Sequence, residues 1–130
     1  MTTRPITDYM TKNPHSIDPT QSIVQARNKM LDLGCKHLPV LSGRKIVGIV
    51  SDRDLNFVSE LVRDEPEKIQ VGEVMLTEVI KCDVSCSLLD IAKKMKENKV
   101  GSVVITKDSE LEGIFTATDA VIALEGLLEA

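Results

Sequence analysis

Two matching stretches of seven residues contain the side chains that could bind or transform a ligand. They are residues 48–54 (Gly-Ile-Val-Ser-Asp-Arg-Asp) and residues 113–119 (Gly-Ile-Phe-Thr-Ala-Thr-Asp), 65 positions later. In each, a hydroxyl residue, Ser51 or Thr116, precedes an aspartate by three positions. A helix start offers unpaired N–H groups to an anion, and a carboxylate accepts hydrogen bonds from a diol such as ribose. The spacing therefore predicts a ligand site at each stretch.

The same residues also allow a purely structural interpretation. Ser51 and Thr116 can cap helices, while Asp54 and Asp119 fill a first-turn or capping-box role. Because strand-to-helix caps are common, one copy alone does not separate the two interpretations. Two copies in register favour a pair of ligand sites. The glycine that opens each stretch predicts close approach of another chain or a ligand to the backbone.

The shift of 65 residues is the period of an internal repeat. No gap is needed from Ile6 and Val71 onward. The identical pairs include Met10 and Met75, Asp18 and Asp83, Ser22 and Ser87, Lys29 and Lys94, and Met30 and Met95. Chance identity would not keep one register from end to end, so the repeat indicates a duplication.

Each copy has the pattern of a β-α-β-β-α unit. Apolar residues recur at helical spacing over residues 22–33, and Gly34 follows as a C-cap. The counterpart in the second copy is residues 87–98. The other predicted elements are short early strands at Ser16-Ile17 and residues 79–82, hairpins at residues 37–51 and 102–116, and closing helices at residues 52–62 and 118–128.

The predicted fold class is therefore α+β, with two β-α-β-β-α repeats. One copy alone has few strands and little apolar surface to bury, so we expect the copies to pack with pseudo-twofold symmetry. The first repeat is assigned to residues 1–62 and the second to residues 71–130. Residues 63–70, which include a highly charged stretch, are assigned as the linker.

The composition argues against several classes of function. Aromatic residues make up 2% of the chain and the net charge is −4, which disfavours base stacking and binding to a nucleic acid backbone. No apolar run approaches the length of a membrane span, and no secretory signal is visible. We therefore expect a soluble, cytoplasmic protein with neither a membrane nor a nucleic acid as partner.

The cysteines and histidines do not form a metal-binding pattern. Cys35, Cys82 and Cys86 contain no CxxC pair, and His15 and His37 are far apart from each other in sequence. This arrangement predicts no metal site. We expect all three cysteines to be reduced, partly buried thiols.

No motif for catalysis is convincing. The sequence from Ser42 to Lys45 fits S-x-x-K but lies in a predicted hairpin turn. Asp52 and Asp54 are two positions apart at a helix start, where their side chains point in different directions. The chain is therefore predicted not to be an enzyme and to use no cofactor.

The last predicted helix is apolar around most of its circumference, from Ala120 to Leu128. A helix that covers one small domain needs only an apolar stripe. The surplus predicts a further apolar partner, most simply a second copy of the chain in a homodimer.

The two stretches, each closing a β-α-β-β-α copy, make the chain similar to a tandem pair of CBS (cystathionine β-synthase) domains, or Bateman module. Residues 8–11, 36–40 and 73–76 belong to the same resemblance, which covers nearly the whole chain. It implies a stand-alone regulatory module that binds adenosine-containing ligands in clefts between the copies. AMP, ADP and ATP are the implied ligands, with S-adenosylmethionine or NAD as further options.

The resemblance also assigns roles to residues. It implies that Asp54 and Asp119 hold ribose hydroxyls, that Ser51 and Thr116 contact phosphate, and that the purine lies against the early strands. The implied ligand-binding residues are Ser16, Ile17, Lys36, His37, Leu38, Pro39, Ser51, Arg53 and Asp54 in the first copy, and Val79, Ile80, Ser102, Val103, Thr116, Thr118 and Asp119 in the second.

The copies differ on the implied phosphate side, where only the first has basic side chains. The aligned pairs are Lys36 and Gly101, His37 and Ser102, and Arg53 and Thr118. A phosphorylated ligand is therefore expected more strongly at the first copy. Each basic residue also has a structural alternative. Lys36 can be a solvated cation, His37 a structural histidine and Arg53 the partner of a nearby carboxylate.

The predicted function is ligand sensing. A nucleotide would stabilise one arrangement of the copies or of a dimer, and an unidentified regulated protein would receive the signal. The alternative is a structural or protein-interaction module with vestigial nucleotide sites, which uses the apolar last helix as its interaction surface.

Overall fold

The computed structural model describes residues 4–130, which fold into five α-helices and six β-strands. The helices are α1 (Ile23–Leu33), α2 (Asp52–Leu61), α3 (Val71–Val74), α4 (Leu88–Asn98) and α5 (Ala117–Glu129). The strands are β1 (Thr11–Lys12), β2 (His37–Ser42), β3 (Lys45–Ser51), β4 (Lys81–Asp83), β5 (Ser102–Lys107) and β6 (Glu110–Thr116). The predicted α+β class with two β-α-β-β-α repeats is confirmed.

Capping residues set the ends of α1 and α4. At the start of α1, Gln25 N donates to Ser22 Oγ at 3.1 Å and Ser22 N donates to the Gln25 side chain at 2.8 Å. Ser87 forms the same capping box with Asp90 at the start of α4. Gly34 ends α1 with a φ of 66°, the left-handed conformation that glycine adopts without a steric penalty. Both helices start and end within one residue of the prediction.

The described chain forms two compact units that do not coincide with the two sequence repeats. The central unit is His15–Val79, and the terminal unit combines residues 4–14 with Ile80–Ala130. Each unit therefore contains the hairpin and long helices of one repeat together with the lead-in segment of the other, which is residues 4–14 for the first repeat and residues 71–78 for the second. The repeat and linker boundaries given above describe the sequence and remain predictions.

In the central unit, α1 and α2 pack with the β2–β3 hairpin. The core side chains are Ile17, Ile23, Ala26, Met30, Leu38, Val40, Val50, Leu55 and Val71. The segment after α3 adds a bridge to β3, because Ile49 N donates to Leu76 O at 3.0 Å and Leu76 N donates to Ile49 O at 2.9 Å. The lead-in of the second repeat thus extends the hairpin of the first.

The terminal unit contains a four-stranded sheet with strand order β1-β6-β5-β4. The pairs β1–β6 and β6–β5 are antiparallel, whereas β4 runs parallel to β5. The core side chains are Ile6, Cys82, Ile91, Val103, Ile105 and Phe115. The lead-in of the first repeat supplies β1, which pairs with the strand that ends at Thr116.

The glycine that opens each seven-residue stretch lies against a lead-in methionine. A methyl group added at Gly48 would lie 2.5 Å from Met75 Sδ, and one added at Gly113 would lie 2.5 Å from Met10 Sδ. The close approach predicted from these glycines is therefore made by the chain itself. The lead-in segments occupy the space that a larger side chain would need.

The early strand differs between the repeats because of Pro39. In the second repeat, Val104 N donates to Ile80 O at 2.9 Å beside β4. Pro39 stands at the position aligned with Val104 and has no N–H to donate. We call the residues of the predicted early strands, 16–17 and 79–82, the early segments. The early segment of the first repeat forms one bridge, between Ile17 and Val40, so the short strand predicted at Ser16-Ile17 is not formed.

The expectation of three reduced cysteines is wrong, since Cys82 and Cys86 form a disulfide. The turn between β4 and α4 brings their Cα atoms to 6.3 Å, within the range that a disulfide spans. Cys35 is a free thiol, and burial raises its pKa above the ordinary value.

Candidate functional site

The predicted ligand turn of the first repeat lies where β3 passes into α2. Ser51 has an extended backbone with φ −114°, and its Oγ accepts a hydrogen bond from Asp54 N at 3.1 Å. Asp52 N donates to Lys36 O at 2.9 Å, which holds the start of β2 beside the start of α2. Ser51 therefore caps the helix, as the structural interpretation of its sequence position predicts.

The carboxylate of Asp54 is not used by this cap. Its side chain is half-buried, and within residues 4–130 no hydrogen bond or ion pair reaches its oxygens. A carboxylate at the N-terminus of a helix is electrostatically favoured. Asp54 is therefore available to accept hydrogen bonds from a ligand.

The second repeat closes the corresponding turn on itself. Thr116 N and Thr116 Oγ1 donate to Asp119 Oδ2 at 2.9 and 3.1 Å, and Asp119 N approaches Thr116 Oγ1 at 3.4 Å. This is a complete capping box at the start of α5. A ligand that bound the Asp119 carboxylate through this oxygen would compete with these internal bonds.

His37 faces the first ligand turn from β2, where it pairs with Ser51. Burial lowers the pKa of His37 from its usual value, although the negative charges of Asp52 and Asp54 act to raise it. Lys36 lowers the pKa further. The imidazole is therefore neutral near pH 7, and a bound phosphate would favour its protonation.

The backbone of β2 lies beside the early segment in the central unit. Ile17 N donates to Pro39 O at 3.0 Å and Leu41 N donates to Ile17 O at 2.9 Å. The side chains of Ile17 and Leu38 are in the core, with 3% and 0% of their surface exposed. These residues can therefore offer a ligand their backbone but little side-chain surface.

The terminal unit repeats this arrangement. Ser102 pairs with Thr116, and Val103 pairs with Phe115, across the β5–β6 hairpin. The Val103 side chain is fully buried, so it too offers only backbone. The carbonyl of Ile80 accepts a hydrogen bond from Val104 of β5. The boundary between the two units falls just before Ile80, so Val79 belongs to the central unit.

The remaining predicted residues lie nearer the solvent. Lys36, Arg53 and Thr118 are exposed, and Ser16 is half-buried. No hydrogen bond or ion pair involves the side chain of Lys36 or Arg53 among the residues that the structure describes. Both cations are therefore free to meet a charged ligand.

Two lysines that the sequence reasoning did not propose have equivalent roles in the two units. Lys29 Nζ donates to Ser16 O, and Lys94 Nζ donates to Lys81 O at 2.8 Å. The lysines and their acceptors are each 65 positions apart. Each tethers the early segment of its repeat to α1 or α4. The sequence signal for these tethers is that the repeat places a lysine at the same position of α1 and of α4.

Comparison with known families agrees with the duplicated geometry. The sequence profile of the CBS domain matches residues 6–60 and again residues 71–126. The chain belongs to the CBS domain family. It contains two CBS domains, and their closing strand-to-helix turns are the two predicted ligand turns described above.

Solved CBS structures resemble the whole chain. A candidate acetoin utilization protein (AcuB) from Vibrio cholerae is 29% identical with a TM-score of 0.87, and the match covers 98% of this chain and 95% of that one. CBSX2 from Arabidopsis thaliana is 26% identical with a TM-score of 0.83 over 99% of both chains. CBSX2 solved in complex with AMP is 27% identical with a TM-score of 0.79, covering 95% of this chain and 98% of that one.

The curated relatives are longer proteins. Inosine-5'-monophosphate dehydrogenase from Staphylococcus saprophyticus is 26% identical over 117 residues, which are 87% of this chain and 23% of the dehydrogenase. The chain thus spans about a quarter of these relatives, and the resemblance is confined to their CBS domains. Within the described range of this chain, each helix is too short or too polar to span a bilayer.

Proposed function

We propose that this CBS pair is a regulatory module that binds an adenosine-containing ligand of the AMP, ADP or ATP class, with the first ligand turn as its principal site. The observation that carries the proposal is the half-buried Asp54 carboxylate, which accepts no hydrogen bond from residues 4–130 although it sits at a capped helix start. A carboxylate with two oxygens can accept both hydroxyls of a ribose.

The surroundings of Asp54 suit the remainder of a nucleotide. The N-terminus of α2 favours negative charge, and Lys36, His37 and Arg53 supply donors for phosphate oxygens. We expect the base to lie against the backbone of Pro39 and of the early segment. A nucleotide phosphate would thus meet positive charge that the second ligand turn does not have.

The AMP complex of CBSX2, a relative at 27% identity, supports the choice of ligand class. The capping box around Asp119 argues for weaker binding at the second turn, since a ligand there displaces internal hydrogen bonds. We therefore expect the first site to fill at lower ligand concentration than the second.

Binding would be read out as a shift between conformations. A ligand changes such an equilibrium only by its differential affinity for the two states. The output would pass to a separate regulated protein or through a homodimer of this chain. S-adenosylmethionine and NAD share the adenosine group and belong in the same binding panel.

The experiment is a thermal-shift titration with AMP, ADP, ATP, S-adenosylmethionine and NAD. A ligand that binds the folded state raises the melting temperature as its concentration exceeds Kd. We expect Asp54→Ala to remove most of the shift and Asp119→Ala to retain most of it. Equal shifts in Asp54→Ala and the parent protein would refute the site, and the absence of any shift with the whole panel would refute the ligand class.

A structural or interaction module with vestigial nucleotide sites is the second candidate. The apolar surface of α5 favours it, because Val121, Ile122, Leu124 and Leu128 are each more than half exposed. This function predicts a partner that binds α5 equally well with and without nucleotide. Isothermal titration of the chain with AMP distinguishes the two, since only the sensor gives a saturable heat.

A further inference from the structure

The terminal unit contains a pair of cysteines that the proposed ligand turns do not use. Cys82 at β4 and Cys86 before α4 form a disulfide. Cys82 has 5% of its surface exposed, whereas Cys86 is half-buried. The first repeat has Ile17 and Gln21 at the aligned positions, so only the second repeat contains this pair.

Packing alone does not explain Cys82. Its side chain lies in the apolar core of the terminal unit, and the aligned Ile17 lies in the core of the central unit. A cysteine buries less apolar surface than an isoleucine and contributes less to stability. Cys82 therefore buries less apolar surface than an isoleucine would at this position, whereas its sulfur can form a bond to Cys86.

The turn also has its own hydrogen bonds. Cys86 N donates to Asp83 O, and Ser85 N donates to Asp83 Oδ2, both at 2.9 Å. Val84 N donates to Thr106 O at 2.9 Å. A disulfide that closes so short a loop removes less entropy from the unfolded chain than one that closes a long loop. The turn can therefore persist when the bond is reduced.

The disulfide is connected to the second ligand turn through the lead-in segment. Cys86 O accepts a hydrogen bond from Ile6 N at 3.1 Å. Four residues further on, Met10 lies against Gly113, the first residue of the second ligand stretch. On the other side, Ile80 O, two residues before Cys82, accepts a hydrogen bond from Val104 N. Hydrogen bonds and packing therefore connect the disulfide to both the early segment and the strand that ends at Thr116.

We propose that Cys82 and Cys86 are a reversible thiol–disulfide site, and that its reduction by a dithiol weakens ligand binding at the second repeat. The effect on binding rests on the proposed function, whereas the redox chemistry does not. The oxidised pair holds the early segment and the lead-in in one arrangement, which favours binding by pre-organisation.

The exchange proceeds by two substitutions at sulfur. The thiolate of a dithiol attacks Sγ of Cys86, the more exposed sulfur, forming a mixed disulfide and releasing Cys82 as a thiolate that takes up a proton. The second thiol of the reductant loses its proton and attacks the reductant's first sulfur, which is bonded to Cys86 in the mixed disulfide. This releases Cys86 as a thiolate that is then protonated. Two electrons and two protons pass to the protein, and the dithiol leaves as a cyclic disulfide.

The redox site is tested in a Cys35→Ser background, which leaves only the two cysteines of the pair. The protein is equilibrated with mixtures of reduced and oxidised dithiothreitol, quenched with an alkylating reagent and weighed by mass spectrometry. We expect a graded, reversible change between no alkylated cysteine and two. Cys86→Gln, which restores the residue type of the first repeat, should carry one alkyl group throughout. A pair that stays fully reduced or fully oxidised at every ratio overturns the proposal.

Coupling to the ligand is tested by AMP titration calorimetry of the oxidised and reduced chain, with Asp54→Ala added to isolate the second repeat. We expect reduction to weaken binding by about fivefold or more, the lower range of known couplings, and Cys86→Gln to be insensitive to dithiothreitol. Equal affinities in both states overturn the coupling. Binding to the parent but to neither redox state of Asp54→Ala overturns the assignment to the second repeat. Binding of none of the adenosine compounds even by the parent would instead reject the proposed function and leave the redox result standing.

Discussion

Asp54 and Asp119 occupy the same position in two repeats but differ in what they do there. Asp119 completes a capping box with Thr116, whereas the oxygens of Asp54 take no hydrogen bond among the described residues. The two interpretations allowed by the sequence, cap and ligand site, therefore divide between the copies. Asp119 supports a helix, and Asp54 remains available to bind a ligand.

This division predicts that the same substitution affects stability more at Asp119 than at Asp54. Asp119→Ala should lower the free energy of unfolding by about 1 kcal/mol, because it removes a capping box. Asp54→Ala should change it by less than about 0.5 kcal/mol, since its carboxylate makes no such bonds. Urea unfolding followed by circular dichroism measures both. Equal losses of stability would contradict the division.

His37 predicts a pH dependence of stability. Its folded-state pKa lies below the ordinary value of 6.5, so the unfolded chain takes up a proton first as the pH falls. The contribution to stability is complete above the unfolded pKa and declines as the pH drops from there towards the folded pKa. Unfolding free energies measured between pH 7.5 and about pH 5 should therefore fall more steeply in the parent than in His37→Gln. His15→Gln, at an exposed residue, is the control for loss of a histidine, and an unchanged slope in His37→Gln would contradict the prediction.

At the scale of elements, the exchanged lead-in segments explain the motif glycines. Gly48 and Gly113 are each covered by a methionine from a lead-in and lie beside a lead-in carbonyl, 2.9 Å from where a methyl carbon would be. The backbone bridges between Leu76 and Ile49 and between Thr11 and Ile114 pin these contacts. The hairpin and the lead-in therefore depend on each other within each unit.

A methyl group at Gly48 should break this fit. Gly48→Ala is expected to destabilise the fold by about 1–3 kcal/mol, because the added carbon overlaps Met75 and a backbone carbonyl. Gly126→Ala is the matched control, since Gly126 lies in α5 with nothing within 4 Å of the added carbon. It should stabilise the helix by up to about 1 kcal/mol. Chemical denaturation that ranks the two variants in the opposite order would contradict the packing argument.

The exposed apolar surface of α5 predicts that the protein as a whole is a homodimer. Val121, Ile122 and Leu124 are more than half exposed on one helix that has a single buried residue, Ala123. Surface of this kind is typical of an interface between subunits. We expect sedimentation equilibrium to give a dimer at micromolar concentration.

Charged substitutions on α5 should then dissociate the homodimer. Ile122→Glu together with Leu124→Glu is expected to give a folded monomer, because two carboxylates would be buried without partners. Leu31→Glu, at an exposed apolar residue of α1, should leave the dimer intact. A parent protein that sediments as a monomer would reject the homodimer.

The sequence alone determined the local architecture. Both α1 and α4, the two hairpins and the strand-to-helix turns follow from apolar periodicity, capping residues and a repeat of 65 positions. These features depend on interactions within a few residues, which a sequence pattern reports directly. The family followed from the same motifs, and the comparisons confirm it.

Which groups these local elements meet depends on how the chain packs in three dimensions. The lead-in exchange, the coverage of Gly48 by Met75, the lysine tethers to the early segments and the bond between Cys82 and Cys86 all involve partners brought together by the fold. The different states of Asp54 and Asp119 also depend on packing, because both seven-residue stretches permit a capping box and side-chain geometry determines which one forms. Local patterns specify elements, whereas contacts distant in sequence depend on packing.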